Sequence, residues 1–83
     1  MSALILFRTL LYAQRAQHFL AQNGIPGTVV KAPRSTEDRG CTYAVRLSDR
    51  RRARALELMA SQGIDHGRVF LLRPDDTLVE VGP

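Results

Sequence analysis

Two helical segments, each ending at a glycine, divide the chain and restrict the folds open to it. In residues 10–23 the apolar side chains recur at helical spacing, and Thr9 is placed to cap this segment. Gly24 then supplies a left-handed stop, and a second helix is expected from about Asp49 to Gly63. The predicted apolar stripes are Tyr12, Ala16, Phe19 and Leu20 in the first helix, and Ala53, Leu56, Met59 and Ala60 in the second.

Strand-like segments surround these helices. They are either continuous apolar runs, which indicate buried strands, or stretches in which apolar and polar residues alternate. After a turn at residues 74–77, residues 78–81 either return as a short edge strand or fray. The four main predicted strands are residues 3–7, 27–32, 42–47 and 68–73.

The resulting order, β-α-β-β-α-β, is typical of the ferredoxin-like fold. This is an α+β fold, with a four-stranded antiparallel sheet and both helices on one face. We expect one domain over residues 1–83, with a core at about residues 3–73 and a C-terminal turn and tail at 74–83. One helix layer leaves the other sheet face bare, and a second copy of the chain could cover it in a homodimer. Candidates for that bare face are Leu4, Leu6, Tyr43, Val45, Val69 and Leu71.

Composition excludes several classes of protein. The apolar fraction of 45% and charged fraction of 24% over 83 residues fit a folded domain rather than a disordered one. One cysteine cannot form an internal disulfide and, with two histidines, does not suit a four-ligand zinc site, so no metal or cofactor is expected. The N-terminal apolar run lacks a basic start and is interrupted by Arg8, which fits neither a signal peptide nor a membrane span. We expect a cytoplasmic protein.

The single cysteine is the best candidate for chemistry. Cys41 follows Gly40 at the end of a polar loop that also contains Arg34 and Arg39, whereas structural cysteines usually sit in apolar runs. Nearby positive charge favours the reactive thiolate over the thiol. The alternative is an inert cysteine that fills space at the start of a strand, and the sequence leaves both open.

The predicted topology brings further groups to the same end of the sheet. The first two strands run parallel with the third between them, so the loop of Cys41 opens beside the first helix start, at Arg8 and Thr9. The connection at residues 63–67 reaches that end too. A helix N-terminus carries roughly half a positive charge and free amides, which stabilise a thiolate. His66 is a candidate proton acceptor or donor, although it and the arginines also fit a reading as solvated loop residues.

A run of arginines opens the second predicted helix. A solvated helix face is the favoured interpretation, and contact with RNA or an acidic protein is the alternative. Sheets of this kind bind RNA by stacking bases on aromatic side chains of the open face. This chain has few aromatics and lacks the Lys/Arg-Gly-aromatic motif on its third strand, so nucleic acid is not the expected partner. The run consists of Arg50, Arg51, Arg52 and Arg54.

Several short motifs together resemble one family. They are Leu4-Ile5-Leu6-Phe7, Gln22-Asn23-Gly24-Ile25, Ala32-Pro33-Arg34, Cys41, and Tyr43-Ala44-Val45-Arg46-Leu47-Ser48. With the order of the elements, they resemble the selenium/sulfur (Se/S) carrier protein-like family over about residues 3–72. The chain departs from the family pattern around the cysteine, because charged residues 37–39 replace serines and Gly40 precedes Cys41 instead of a glycine following it.

The resemblance implies a small cytoplasmic carrier. Cys41 would hold sulfur or selenium as a persulfide or selenopersulfide, loaded and unloaded by donor and acceptor proteins. Such a protein needs one reactive atom and a docking surface, so an enzyme that turns over substrate by itself is not expected. The alternative function is a non-catalytic binding or regulatory module, which dimerises or contacts RNA through its basic helix.

Overall fold

The computed structural model describes residues 1–36 and 40–82 as two helices and one antiparallel sheet of five strands. This confirms the predicted α+β class. In chain order the elements are β1 (Ser2–Phe7), α1 (Leu10–Gln22), β2 (Thr28–Lys31), β3 (Tyr43–Ser48), α2 (Arg52–Ser61), β4 (Val69–Leu72) and β5 (Leu78–Val81). The order of strands across the sheet is β2-β3-β1-β4-β5.

The prediction of four strands is one short, because residues 78–81 are not a tail. They pair antiparallel with β4 along its whole length, from Leu72 opposite Leu78 to Val69 opposite Val81. The turn between the two strands was predicted correctly. Its N–H groups are paired, since Arg73 donates to the carbonyl of Thr77 and Asp76 donates to that of Arg73, both at 2.9 Å.

Strand directions decide which connections meet. β1 is antiparallel to β3 and to β4, and β3 is antiparallel to β2, so β1 and β2 run in the same direction. The ends of β1 and β2 therefore lie at the same edge of the sheet as the beginnings of β3 and β4. We call this end of the strands the Cys41 edge. The connections that follow β1, β2 and α2 all reach it, at residues 8–9, 32–42 and 62–68.

One sheet face and both helices share the main core. Ile5, Val45 and Val69, from three neighbouring strands, are at most 2% exposed and pack with buried residues of α1 and α2. Both helices therefore lie on the same face, as predicted. The alternation predicted for the third strand is also confirmed, since Tyr43, Val45 and Leu47 all contact this core.

The buried stripes of the helices are rotated from the predicted ones. α1 buries Ala13, Ala16 and Leu20, and α2 buries Ala55 and Met59. Neighbouring positions on a helix differ by about 100° of rotation, so spacing alone allowed more than one stripe. The small alanines decide the outcome because they let the helix backbone approach the sheet. Three residues assigned to the core are exposed instead: Tyr12, Ala53 and Ala60.

The opposite sheet face is not bare in the way the sequence suggested. Leu4 and Leu6 do point to it, but they are 2% and 0% exposed and form a second cluster with Ala44 and Phe70. Partly buried residues pack against this cluster, and Cys41 is one of them. The apolar side chains expected to form a bare homodimer patch are thus already buried at these positions. Four of the six candidates lie on the helix face instead: Tyr43, Val45, Val69 and, opposite Ala3, Leu71.

Both helices end with the same hydrogen bonds. The Ile25 N–H donates to the carbonyl of Leu20, and the Ile64 N–H donates to that of Met59, each at 2.9 Å. This pattern is the Schellman motif, in which the residue before the isoleucine adopts a left-handed conformation. Glycine fills that position in both, at Gly24 (φ 81°) and Gly63 (φ 66°).

Truncating a core leucine of α1 will cost far more stability than truncating an exposed one. Leu20 is 1% exposed, and replacing it with alanine should destabilise the protein by about 2–5 kcal/mol. Leu11 lies on the same helix at 54% exposure, so Leu11→Ala should change stability by less than about 0.5 kcal/mol. Urea unfolding of both variants measures this, and equal losses would contradict the buried stripe.

Candidate functional site

Cys41 lies half-buried at the Cys41 edge, just before β3. Its side chain packs against the cluster of Leu4, Leu6, Ala44 and Phe70, on the sheet face opposite the helices. The topology therefore brings Cys41 to the end of the sheet where α1 starts, as predicted, but its side chain packs on the other side of the sheet from that helix. The sulfur sits in a partly apolar setting rather than in a fully solvated loop.

Gly67 provides the surface against which the sulfur rests. A Cβ atom at this position would lie 2.7 Å from Cys41 Sγ, and only 3.3 Å from the carbonyl oxygen of Leu6. Because real Cβ atoms do not approach other heavy atoms so closely, any side chain here would force the sulfur to move. Gly67 is thus required by the position of Cys41.

An irregularity in the sheet places Gly67 there. The Leu6 N–H donates to the carbonyl of Arg68 at 3.0 Å, while the Leu6 carbonyl accepts from the Gly67 N–H at 2.7 Å. Two residues leading into β4 therefore oppose one residue of β1, which is the arrangement of a β-bulge. Bulges re-aim the chain at strand ends, and this one directs Gly67 towards Cys41 across the end of β1.

The residues on either side of Cys41 hold it at this edge. Gly40 has a φ of 89°, a conformation that residues with a side chain rarely adopt, so the turn before the cysteine needs glycine. After it, the Thr42 N–H donates to the Phe7 carbonyl, and Thr42 Oγ1 donates to the Arg8 carbonyl, both at 3.2 Å. Thr42 thereby ties the cysteine to the segment that leads into α1.

Cys41 lines an open pocket of about 1090 Å³ at the edge of the sheet. The predicted convergence is visible here, because Arg8 and the whole of residues 63–67 line the same pocket. The far wall is formed by Arg68, Val69 and the end of β5. The other lining residues are Phe7, Tyr12, Arg15 and Ala16.

His66 lines this pocket, and one of its ring nitrogens is hydrogen-bonded. Its Nδ1 lies 2.6 Å from the carbonyl oxygen of Gly67. A carbonyl oxygen only accepts, so Nδ1 carries the hydrogen, and the neutral ring keeps its lone pair at Nε2. His66 is therefore hydrogen-bonded to Gly67, the residue that supports the sulfur. Its Nε2 atom remains as a proton acceptor.

Arg68 and Glu80 form the charged wall of the pocket. The guanidinium donates to both carboxylate oxygens, with Nη2–Oε1 and Nε–Oε2 distances of 2.6 and 3.0 Å, and it lies 4.9 Å from the ring centre of Phe70. The hydrogen bonds from Arg68 lower the pKa of Glu80 below its ordinary value of 4.5, although desolvation acts in the opposite direction.

Three of the predicted site residues that the structure describes do not line the pocket: Thr9, Arg34 and Gly40. Thr9 caps α1, since its Oγ1 accepts from the Tyr12 N–H at 3.1 Å. Arg34 is exposed in a short 3-10 turn, Arg34–Thr36, and does not line the pocket. Arg39 lies outside the described residues.

The arginine run belongs to the other end of the sheet. A 3-10 turn, Asp49–Arg51, precedes α2, so the helix begins later than predicted. Arg51 Nη1 donates to the Gly24 carbonyl at 3.1 Å, and Arg52 Nη1 pairs with Asp49 Oδ1 at 2.7 Å. Arg51 thus links the turn before α2 to the end of α1, and Arg52 is paired within its own turn, while Arg50 and Arg54 are exposed.

The sheet offers no aromatic platform for bases on β1 and β3. Phe7 and Tyr43 belong to the helix side, and the residues of these strands facing away from the helices are Ser2, Leu4, Leu6, Ala44, Arg46 and Ser48. In residues 1–36 and 40–82, no three His, Cys, Asp or Glu side chains come together to hold a metal ion. No described helix is long and apolar enough to span a membrane.

Comparison with known proteins agrees with the resemblance. Residues 2–70 match the model of a family described as "Putative Se/S carrier protein-like". The chain belongs to this family. No curated protein and no solved structure matches the chain.

Several residues that line the pocket of Cys41 were not identified from the sequence. Gly67 was counted only as part of a connection, although a glycine just before a strand is a known sign of a close backbone approach. Tyr12 was assigned to the core, and Arg15 was not singled out. Glu80 depends on β5, which the sequence left open.

Gly67→Ala will destabilise the protein mainly through Cys41. The added Cβ should cost about 1–3 kcal/mol of stability by overpacking. The cost should be smaller by about 1 kcal/mol in a Cys41→Ala background, because the atom it meets is gone. Urea unfolding of the four proteins measures this coupling, with Gly82→Ala, where a Cβ meets open space, as the control. The same cost in both backgrounds would contradict the contact.

The Arg68–Glu80 pair will make a pH-dependent contribution to stability. The folded pKa of Glu80 is below its unfolded value, so the contribution is present above pH 4.5 and is lost as the pH falls through the lower folded value. Arg68→Gln should return the pKa of Glu80 towards its ordinary value. NMR titration of the Glu80 carboxylate in both proteins tests this, and an unchanged titration would refute it.

Proposed function

We propose that this protein carries a sulfur or selenium atom on Cys41, as a persulfide or selenopersulfide. The observation that carries the proposal is that the only thiol of the chain lines a pocket at the Cys41 edge, in a member of the Se/S carrier protein-like family. The half-buried setting suits a carrier, because bound sulfur must be reached by partners and yet be shielded from bulk reductants.

Loading follows from ordinary thiol exchange. The Cys41 thiolate attacks the outer sulfur of a donor persulfide, a new S–S bond forms at Cys41, and the bond to the inner sulfur breaks. The donor leaves as a thiolate, so no external oxidant or reductant is needed. A donor that holds selenium at the outer position transfers it in the same way.

Unloading is the reverse reaction with a different partner. An acceptor thiolate attacks the outer atom, and Cys41 leaves as a thiolate that is ready for another cycle. His66 lines the same pocket and keeps Nε2 as a proton acceptor, so it is the candidate to take up the thiol proton before attack. No cofactor enters this scheme.

The proposal includes the fold family, the partner proteins and the cellular location. The order β2-β3-β1-β4 and the two crossover helices support assignment of the first four strands to the ferredoxin-like fold, with β5 as an addition. The partners are donor and acceptor proteins, and we place the exchange in the cytoplasm, where thiols are kept reduced.

Mass spectrometry will show sulfur on Cys41 after incubation with glutathione persulfide. The reduced protein should gain one sulfur atom at Cys41, whereas Cys41→Ser should gain none. A synthetic peptide of residues 38–44 gives the reactivity of the same cysteine without the fold. The folded protein should load at least as fast as this peptide.

The same experiment can disprove the carrier function. A thiol that stays unmodified, or that loads more slowly than the peptide and reacts with iodoacetamide no faster than free cysteine, would identify Cys41 as an inert packing residue. Loaded protein should also pass its sulfur to an added acceptor thiol. Loss of the sulfur only to strong reductant would count against transfer.

A further inference from the structure

The start of α1 exposes three consecutive apolar side chains. Leu10, Leu11 and Tyr12 are 41%, 54% and 55% exposed. Besides Met1 they are the exposed large hydrophobic residues of the described chain. Single exposed apolar residues are ordinary on protein surfaces. Because successive helical positions differ by about 100°, these three spread around the first turn of α1 and together leave that turn apolar, which indicates a site of contact.

Two arginines border this group. Arg8 precedes it and Arg15 lies one turn beyond Leu11, and both are exposed. Within residues 1–36 and 40–82 neither side chain forms a hydrogen bond or ion pair. We call Arg8, Leu10, Leu11, Tyr12 and Arg15 the α1 surface.

The α1 surface has no carboxylate of its own. Residues 1–36 contain no Asp or Glu at all, so no acidic side chain from this part of the chain offsets the two arginines. α1 also has no acid in its first turn to occupy the positive end of its dipole. A carboxylate brought by a partner would meet two arginines that have no partner among the described residues, next to the helix amides that Thr9 does not cap.

The surface is continuous with the pocket of Cys41. Arg8, Tyr12 and Arg15 line both. Of the other charged groups that line that pocket, Arg68 and Glu80 bind each other, and Asp65 is the remaining acid. The approach to the sulfur is therefore apolar and positively charged.

We propose that the α1 surface docks an acidic segment with exposed apolar side chains, on the protein that exchanges sulfur or selenium with Cys41. This inference rests on the proposed function and adds the chemistry of the partner. Carboxylates of the segment pair with Arg8 and Arg15, and its apolar side chains cover Leu10 and Leu11. RNA would satisfy the arginines but would leave the leucines in water.

Peptide binding tests the surface without any sulfur chemistry. A labelled synthetic peptide that alternates Asp and Leu around a central Ser is titrated with the Cys41→Ser protein by fluorescence anisotropy. A matched peptide with Lys in place of Asp is titrated in parallel. The acidic peptide should bind more tightly, and its affinity should fall as salt is added, because surface charges are screened.

Charge-reversal variants locate the binding. Arg8→Glu/Arg15→Glu should weaken binding of the acidic peptide by about tenfold or more and favour the basic one. Arg50→Glu/Arg54→Glu makes the same change in net charge at exposed positions near the start of α2, and should have less than about a twofold effect. Leu11→Ser should also weaken binding. Equal affinity for the two peptides, or equal effects of the two double variants, would overturn the proposal.

Persulfide versions of the two peptides separate this inference from the carrier function. With a persulfidated Cys in place of Ser, the acidic peptide should transfer sulfur to Cys41 of the unaltered protein faster than the basic one. Equal transfer from both peptides would refute the docking surface and leave the proposed carrier function intact. Tight binding of the acidic peptide with no sulfur transfer would support the docking surface and refute the carrier function.

Discussion

The central strand β1 is hydrogen-bonded on both sides, and five of its six residues are buried. Its antiparallel pairing with β3 and β4 makes both of those strands begin where β1 ends. Cys41 and Gly67, which are far apart in sequence, arrive on opposite flanks of the last residues of β1 for this reason. The pairing of the sheet, rather than any local motif, assembles the site.

The contact between Cys41 and Gly67 then decides what kind of cysteine this is. A sulfur that packs on backbone and apolar side chains is protected on one side, while the pocket leaves it open on another. The helix N-terminus on the far face of the sheet is not its packing partner. A thiol in such a setting can be reached from the pocket, and the proposed carrier function requires access of that kind.

Local signals in the sequence were enough for the order of the first six elements and for both ends of α1. The Asn23-Gly24 stop, the Thr9 cap and the alternation in β3 each depend on neighbouring residues, and all agree with the structure. The rotation of α1 was not predictable from spacing, because Tyr12 and Ala13 both complete an apolar stripe. β5 was also uncertain, since its pairing with β4 depends on the turn before it.

The site was predictable only in outline. The convergence of Cys41, Arg8 and His66 follows from strand directions, which the order of elements implies. The orientation of the sulfur depends on a bulge opposite Leu6, and no local pattern announces a bulge that arises from pairing between distant segments. The residue that completes the contact, Gly67, is visible in the sequence only as a glycine before a strand.

The two arginine-bearing regions show why density of charge is a poor guide to function. Arg51 and Arg52, within the conspicuous run, are used to bind Gly24 and Asp49. Arg8 and Arg15 are isolated in the sequence, yet they have no partner among residues 1–36 and 40–82, lie close to exposed leucines in sequence and line the pocket of the only thiol. Charges that the fold leaves without partners indicate a binding surface. Among the described residues of this chain, Arg8 and Arg15 are such charges, and they lie in a segment, residues 1–36, that contains no Asp or Glu.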